Sequence, residues 1–155
     1  MARTYVVSFD GVAVSAAQDL FELTPADDKP IEVVGLFIAQ TSDVGDAQDE
    51  ILKYTIIRGY TTSGSGGSSA TPAALLPADT AAGFTAEVNN TTVANTGTAV
   101  TMHNDAFNVR AGLQLWFPPE ARPSASQANT TIVVRIPAPA DALTMSGTIY
   151  VRELI

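Results

Sequence analysis

His103 carries the only imidazole in the chain, so any hydrolase chemistry with a serine or cysteine nucleophile would have to use it. The nearest carboxylate, that of Asp105, is two positions away, no Gly-x-Ser-x-Gly turn presents a serine, and the chain has no cysteine. A single histidine without cysteine also provides too few nitrogen and sulfur ligands for a zinc site. We therefore predict no catalytic residue, no cofactor-binding residue and no metal ligand, and we do not expect an enzyme.

Two further segments contain residue types that bind ions. The acidic segment S-D-V-G-D-A-Q-D-E (residues 42–50) lacks the D-x-[DN]-x-[DN]-G spacing of a calcium loop. The segment G-S-G-G (residues 64–67) lacks the lysine that a phosphate-binding loop places on its ligand. We interpret the first as a solvated loop with one short helical turn, and residues 61–70 as a mobile Gly/Ser-rich loop or a contact arm that orders on binding.

The composition excludes several classes of partner. Of the 155 residues, 46% are hydrophobic and only 15% are charged, and the net charge is −8. The two lysines and six arginines are spread along the chain, so no basic stripe is available for nucleic acid. The chain contains no run of 18 apolar residues, which a membrane-spanning helix would need. The first seven residues do not resemble a signal peptide, so we expect synthesis in a cytoplasm. A surface this poor in lysine and glutamate favours contact with neighbouring subunits.

Alternation of apolar and polar residues predicts the elements. The clearest case is residues 143–152, where Leu143, Met145, Ile149 and Val151 oppose threonine, serine, tyrosine and arginine. The more continuously apolar residues 31–40 predict a central strand that is buried on both faces. Eight or nine such strands, with no sustained helical period, predict an all-β fold: an antiparallel two-sheet sandwich of the jelly-roll type, forming one domain over residues 1–155.

Four stretches carry a resemblance to a known group: Gln18 to Pro25, Gln40 to Glu50, Ile56 to Gly67, and Leu143 to Tyr150. They resemble a widespread group of small phage and prophage proteins, and the predicted shape is similar to the jelly-roll decoration, or cement, proteins of tailed-phage heads. The resemblance implies a homotrimer on the head surface of a virion that contacts the major capsid protein and is made in the bacterial host cytoplasm. It implies no catalytic residue.

Six residues are the candidate contacts with a partner. They lie in the N-terminal segment, in the glycine arm and before a Pro-Pro pair: Arg3, Tyr5, Gly64, Gly66, Gly67 and Trp116. Trp116 suits either an exposed anchor or a rim or core aromatic. Two other functions stay open, a carbohydrate- or receptor-binding jelly-roll module of a tail fibre or baseplate, and a hydrolase of unknown type, for which His103 would be the only imidazole.

Overall fold

The computed structural model describes residues 2–128 and 130–155, and within these residues twelve β-strands and one 3₁₀ turn are present. The strands are β1 (Arg3–Val14), β2 (Gln18–Thr24), β3 (Ile31–Gln40), β4 (Ile51–Thr62), β5 (Ser68–Ala70), β6 (Ala73–Ala74), β7 (Thr85–Asn90), β8 (Asn95–Asn108), β9 (Leu113–Trp116), β10 (Ser124–Ala125), β11 (Thr131–Ile136) and β12 (Leu143–Glu153). The 3₁₀ turn spans Pro119–Ala121. No helix among the described residues is long and apolar enough to cross a membrane.

The strands form two six-stranded antiparallel sheets. The first has the order β10-β3-β12-β1-β6, with β9 also paired to β3, and the second has the order β5-β7-β2-β11-β4-β8. The short strands β5 and β6 and strand β7 are inserted between β4 and β8. If β9 and β10 are taken as one interrupted strand, the eight that remain have the strand order of a jelly roll. The predicted fold class is therefore confirmed.

The main core lies between the two sheets and follows the predicted alternation. Tyr5, Val7 and Phe9 of β1 are buried, and so is every second residue of β12. One aromatic contact joins the sheets, since the Phe9 and Phe21 rings lie 5.3 Å apart. Tyr5 also meets Phe84, which directly precedes β7, edge to face at 5.7 Å. Burial of alternate residues is what holds the sandwich together.

Three local predictions were wrong. Residues 31–40 are buried on one face only, because Glu32, Val34 and Phe37 on the other face are partly exposed. The Asp10-Gly11 pair, whose residue types predict a turn after a first short strand, forms a bulge inside β1 instead, where the register with β12 shifts and Gly11 has a positive φ of 61°. The acidic segment contains a turn closed by the Asp46 N–H and the Asp43 carbonyl, not a helical turn.

The outer face of the second sheet is covered by its own chain. Residues 63–66 and 91–94 lie across it and are joined by two hydrogen bonds between the Ser65 and Thr92 backbones. A small second apolar cluster of Ile57, Ala94 and Val133 forms beneath this cover, with Tyr60 packed against it. We call residues 63–66 and 91–94 the covering segments. The outer face of the first sheet has no such cover among the described residues.

Candidate partner-binding face

Three aromatic side chains lie together on the outer face of the first sheet. They are Phe37 of β3, Trp116 of β9 and Tyr150 of β12, and we call them the aromatic patch. The Trp116 and Tyr150 rings are stacked at 5.3 Å with 26° between their planes, and Phe37 meets both edge-on, at 5.0 Å and 5.9 Å. Trp116 is 59% exposed although it is the largest side chain of the protein.

Strand register explains why the two larger rings meet. Gly35 of β3 pairs with Trp116 on one side and with Tyr150 on the other, so the rings reach towards each other across a position without a side chain. A Cβ atom at Gly35 would lie 2.6 Å from Trp116 Cε3, which is too close for any other residue to be tolerated unchanged. The missing side chain at Gly35 therefore leaves space for the indole ring against the sheet.

The borders of the aromatic patch are polar and differ from each other. At one end, Arg122 and Arg152 share the carboxylate of Glu32, with Nη1–Oε1 distances of 2.7 Å and 3.5 Å. At the other end, a cavity of about 220 Å³ is lined by Phe37 together with Gln114, Ser146 and Thr148. Tryptophan, tyrosine and arginine are the residues that dominate protein interfaces, and a polar rim is typical of them.

The candidate contacts in the N-terminal segment pack against the loop after β6. Arg3 Nη1 donates to Thr80 Oγ1 at 2.8 Å, and Arg3 Nε lies 3.7 Å from Asp79 Oδ1. Tyr5 is fully buried in the core, and its hydroxyl donates to the Thr80 carbonyl at 3.0 Å. In the isolated chain, therefore, Arg3 is accessible and the Tyr5 side chain is not.

The three candidate glycines lie in or beside a covering segment, on the face of the sandwich opposite the aromatic patch. A Cβ at Gly64 would collide with the Thr92 carbonyl oxygen, and one at Gly67 with that of Val88. Gly66 has a positive φ of 90°. These contacts explain the glycines locally, while the mobility of residues 61–70 and partner contact at the six candidate residues stay predictions.

The aromatic patch contains two residues that were not predicted from the sequence, Phe37 and Tyr150. Tyr150 was on the polar side of a well-predicted strand, so its outward direction was readable. Phe37 was not predicted to be exposed, because residues 31–40 were expected to be buried on both faces. Neither pattern could indicate that β9, β3 and β12 are neighbours.

His103 lies in β8 and contacts aromatic groups. Its Nε2 is 3.0 Å from the Tyr54 hydroxyl, and its ring meets Phe117 edge-on at 5.5 Å. Burial, with the nearby charge of Asp105, raises the pKa of Tyr54 to about 12. Within residues 2–128 and 130–155, no three histidine, cysteine or acidic side chains converge on one point.

No model of a protein family and no curated protein matches the chain. Among solved structures, a chain of the T13 particle of infectious bursal disease virus is 12% identical with a TM-score of 0.27, over 99% of this chain and 39% of that one. VP17, a capsid protein of bacteriophage P23-77, is 8% identical with a TM-score of 0.24, over 99% of this chain and 96% of VP17. This chain thus spans less than half of the bursal disease virus chain. TM-scores this far below 0.5 establish neither a shared fold nor a shared function.

Proposed function

We propose that the chain is a non-enzymatic structural protein of a virion, a decoration protein that binds the major capsid protein on the head surface as a homotrimer. The jelly-roll strand order supports this function, because viral capsid domains are one of the classes of protein that use it. The low share of charged residues, 15%, supports extensive contact with other proteins, because long charged side chains oppose association.

The observation that carries this proposal is the exposure of Trp116 within the aromatic patch. Exposure of a tryptophan side chain to water is unfavourable. The Trp116 ring nevertheless lies on the outer face of the sheet, where it packs against Tyr150, Phe37 and the backbone at Gly35. A ring that is preorganised and more than half exposed is suited to entering a pocket of a partner. We assign the aromatic patch to contact with the shell.

The first experiment measures whether purified phage particles contain the protein, and in how many copies. We expect the protein to co-purify with particles at a fixed copy ratio and to appear at the head surface in electron micrographs. Its recovery only as free protein from the lysate would overturn the proposal.

The second experiment tests the aromatic patch itself. Particles that lack the protein are mixed with the wild type, Trp116→Ala or Leu76→Ala and sedimented. Leu76 is a matched control, because it is also an apolar side chain that is 59% exposed. We expect the tryptophan variant to bind at least about 30-fold more weakly, as for an interface hot spot, and the leucine variant to bind like the wild type. Equal binding by all three proteins would remove the aromatic patch from the interface.

A second candidate function is a carbohydrate-binding module on a tail fibre or baseplate. It is favoured by the stacked Trp116 and Tyr150 rings beside a cavity with the amide of Gln114 and the hydroxyls of Ser146 and Thr148. A glycan array separates the two functions. Binding that Trp116→Ala abolishes would favour the module, and an array without any signal would favour the shell protein.

A further inference from the structure

An arginine lies beside the aromatic patch on the same face of the first sheet. Arg152 follows Tyr150 by two residues in β12, and side chains at this spacing in a strand point the same way, about 7 Å apart. In the register of the sheet, Arg152 lies between Glu32 of β3 and Thr4 of β1. Its side chain is 42% exposed. The guanidinium and the stacked rings therefore belong to one surface.

The carboxylate nearest to Arg152 is already used by another arginine. Glu32 Oε1 accepts a hydrogen bond from Arg122 Nη1 at 2.7 Å, and these two side chains are only 14% and 15% exposed. Arg152 Nη1 lies 3.5 Å from the same oxygen, which is too long for a strong charge-assisted hydrogen bond. Among the described residues, Arg152 has no second ion pair. One negative charge thus serves two positive charges.

Other acidic residues do not compensate Arg152. Glu120 is the acidic residue closest to Arg122 along the chain, and it is exposed in the 3₁₀ turn between β9 and β10. Within residues 2–128 and 130–155 it pairs with neither arginine. The net charge of −8 has little influence at this point, because charges more than about 8 Å away are largely screened at physiological salt. The positive charge of Arg152 is therefore left for a partner.

A partner that covers the aromatic patch would also remove water from Arg152. Stable interfaces bury about 800 Å² on each side, which corresponds to a disc of roughly 16 Å radius. A contact centred on the stacked rings therefore extends over the neighbouring guanidinium. A guanidinium that loses water without gaining an acceptor is strongly unfavourable, and Glu32 is already bonded to Arg122. The acceptor must then come from the partner.

We propose that the capsid surface that covers the aromatic patch carries an aspartate or glutamate side chain that pairs with Arg152. A carboxylate neutralises the charge and also matches the planar fork of a guanidinium. It would lie about 7 Å from the group that packs on the Tyr150 ring, a spacing that side chains two residues apart in an extended segment have. The inference rests on the proposed function and names the chemistry of its partner, an apolar side chain beside an acidic one.

The experiment compares the binding of four proteins to particles that lack the decoration protein: the wild type, Arg152→Gln, Arg152→Lys and Lys53→Gln. We expect Arg152→Gln to bind at least about tenfold more weakly, because the partner carboxylate loses its counter-ion. Arg152→Lys should bind with intermediate affinity, since it keeps the charge and loses the fork. Lys53→Gln is the matched control, because it removes the same charge from an exposed side chain of the second sheet and should bind like the wild type.

The partner group is tested by changing the particles. A carbodiimide with ethanolamine converts exposed carboxylates into neutral amides. On treated particles, the ratio of the dissociation constants of Arg152→Gln and the wild type should fall from at least about ten to about one, because the group that Arg152 binds is gone. On untreated particles the ratio should shrink as salt is raised from about 0.05 to 0.5 M. A ratio that is the same on treated and untreated particles would overturn the proposal.

Failure of this inference can be told apart from failure of the proposed function. Arg152 is exposed and Arg122 stays paired with Glu32, so Arg152→Gln should unfold at the same temperature as the wild type. Equal binding by the wild type and Arg152→Gln would overturn the acidic contact, while the shell contact would stand if Trp116→Ala still bound weakly. Equal losses in Arg152→Gln and Lys53→Gln would assign the effect to net charge and would also overturn the contact. No binding by the wild type would overturn the proposed function itself.

Discussion

Asp19 and Arg135 form an ion pair in which only the arginine reaches solvent. The Asp19 side chain is fully buried and that of Arg135 is 23% exposed. The guanidinium also donates to the Ala94 carbonyl at 2.8 Å and to the Tyr60 hydroxyl at 2.9 Å, and it lies over the Tyr60 ring. Burial opposes the charge of Arg135, but Asp19 and Tyr60 outweigh it and raise the pKa of the guanidinium. The pair thus links β2, β11 and the covering segment of residues 91–94.

Removing one partner should cost much more than removing both. We expect Arg135→Met to lower the free energy of unfolding by about 3–5 kcal/mol, because it leaves the buried Asp19 charge without a counter-ion and with the Ala94 N–H, at 2.9 Å, as its remaining donor. The double variant Asp19→Asn, Arg135→Met should recover a large part of that loss. Urea denaturation measures both values. A single variant that loses less than about 1 kcal/mol would show that water already compensates Asp19.

Tyr54 makes stability dependent on alkaline pH. Its pKa is about 12 in the folded protein against about 10 in the unfolded chain, so the folded state holds the phenolic proton more tightly. This contribution is complete below pH 10 and is lost as the pH rises from about 10 to 12. We expect the free energy of unfolding to fall over that range, and to fall less in Tyr54→Phe. Identical pH profiles of the two proteins would assign the loss to other groups.

At the scale of elements, the covering segments depend on close backbone contact. Gly64→Ala should cost about 1–3 kcal/mol, because its methyl group would meet the Thr92 carbonyl oxygen and push the cover from the sheet. Gly45→Ala is the control, since a Cβ there has no atom within 4 Å, and it should change stability by less than about 0.5 kcal/mol. Thermal or urea unfolding of the two variants measures the difference. Equal stability would mean that the cover is free to move away.

Elements whose alternation reports one core face were predictable. β12 and the first half of β1 alternate without interruption because each lies against the core on one side only. Leu20 forms a bulge in β2, because it has no partner in β11, and the bulge places Asp19 and Glu22 on the same face of the strand. This bulge could not be predicted from the sequence, since it depends on how β2 pairs with β11. The Gly/Ser-rich composition of residues 61–70 likewise predicts flexibility, but it cannot indicate that the same small residues allow close packing on a sheet.

At the scale of the whole molecule, the candidate site could be predicted only in part. Trp116 was predictable as a contact residue from the Pro-Pro pair that follows it, but its companions Phe37 and Tyr150 come from strands that are distant along the chain. Their contact follows from the strand order of the jelly roll and from the register at Gly35. An alternating hydrophobic pattern shows on which face of the sheet each side chain lies. It does not show which strand is the neighbour.

The proposed homotrimer can be tested through its dependence on salt. Each chain has a net charge of −8, so association brings like charges together, and the attraction must come from neutral surface. We expect a particle of three times the chain mass in light scattering after size exclusion, and a stronger association as salt is raised from about 0.05 to 0.5 M, because salt screens the repulsion. Trp116→Ala should still form the trimer, since we assign the aromatic patch to the capsid and not to the neighbouring subunit. A monomer at all salt concentrations would contradict the trimer, and loss of the trimer in Trp116→Ala would move the aromatic patch from the shell contact to the contact between subunits.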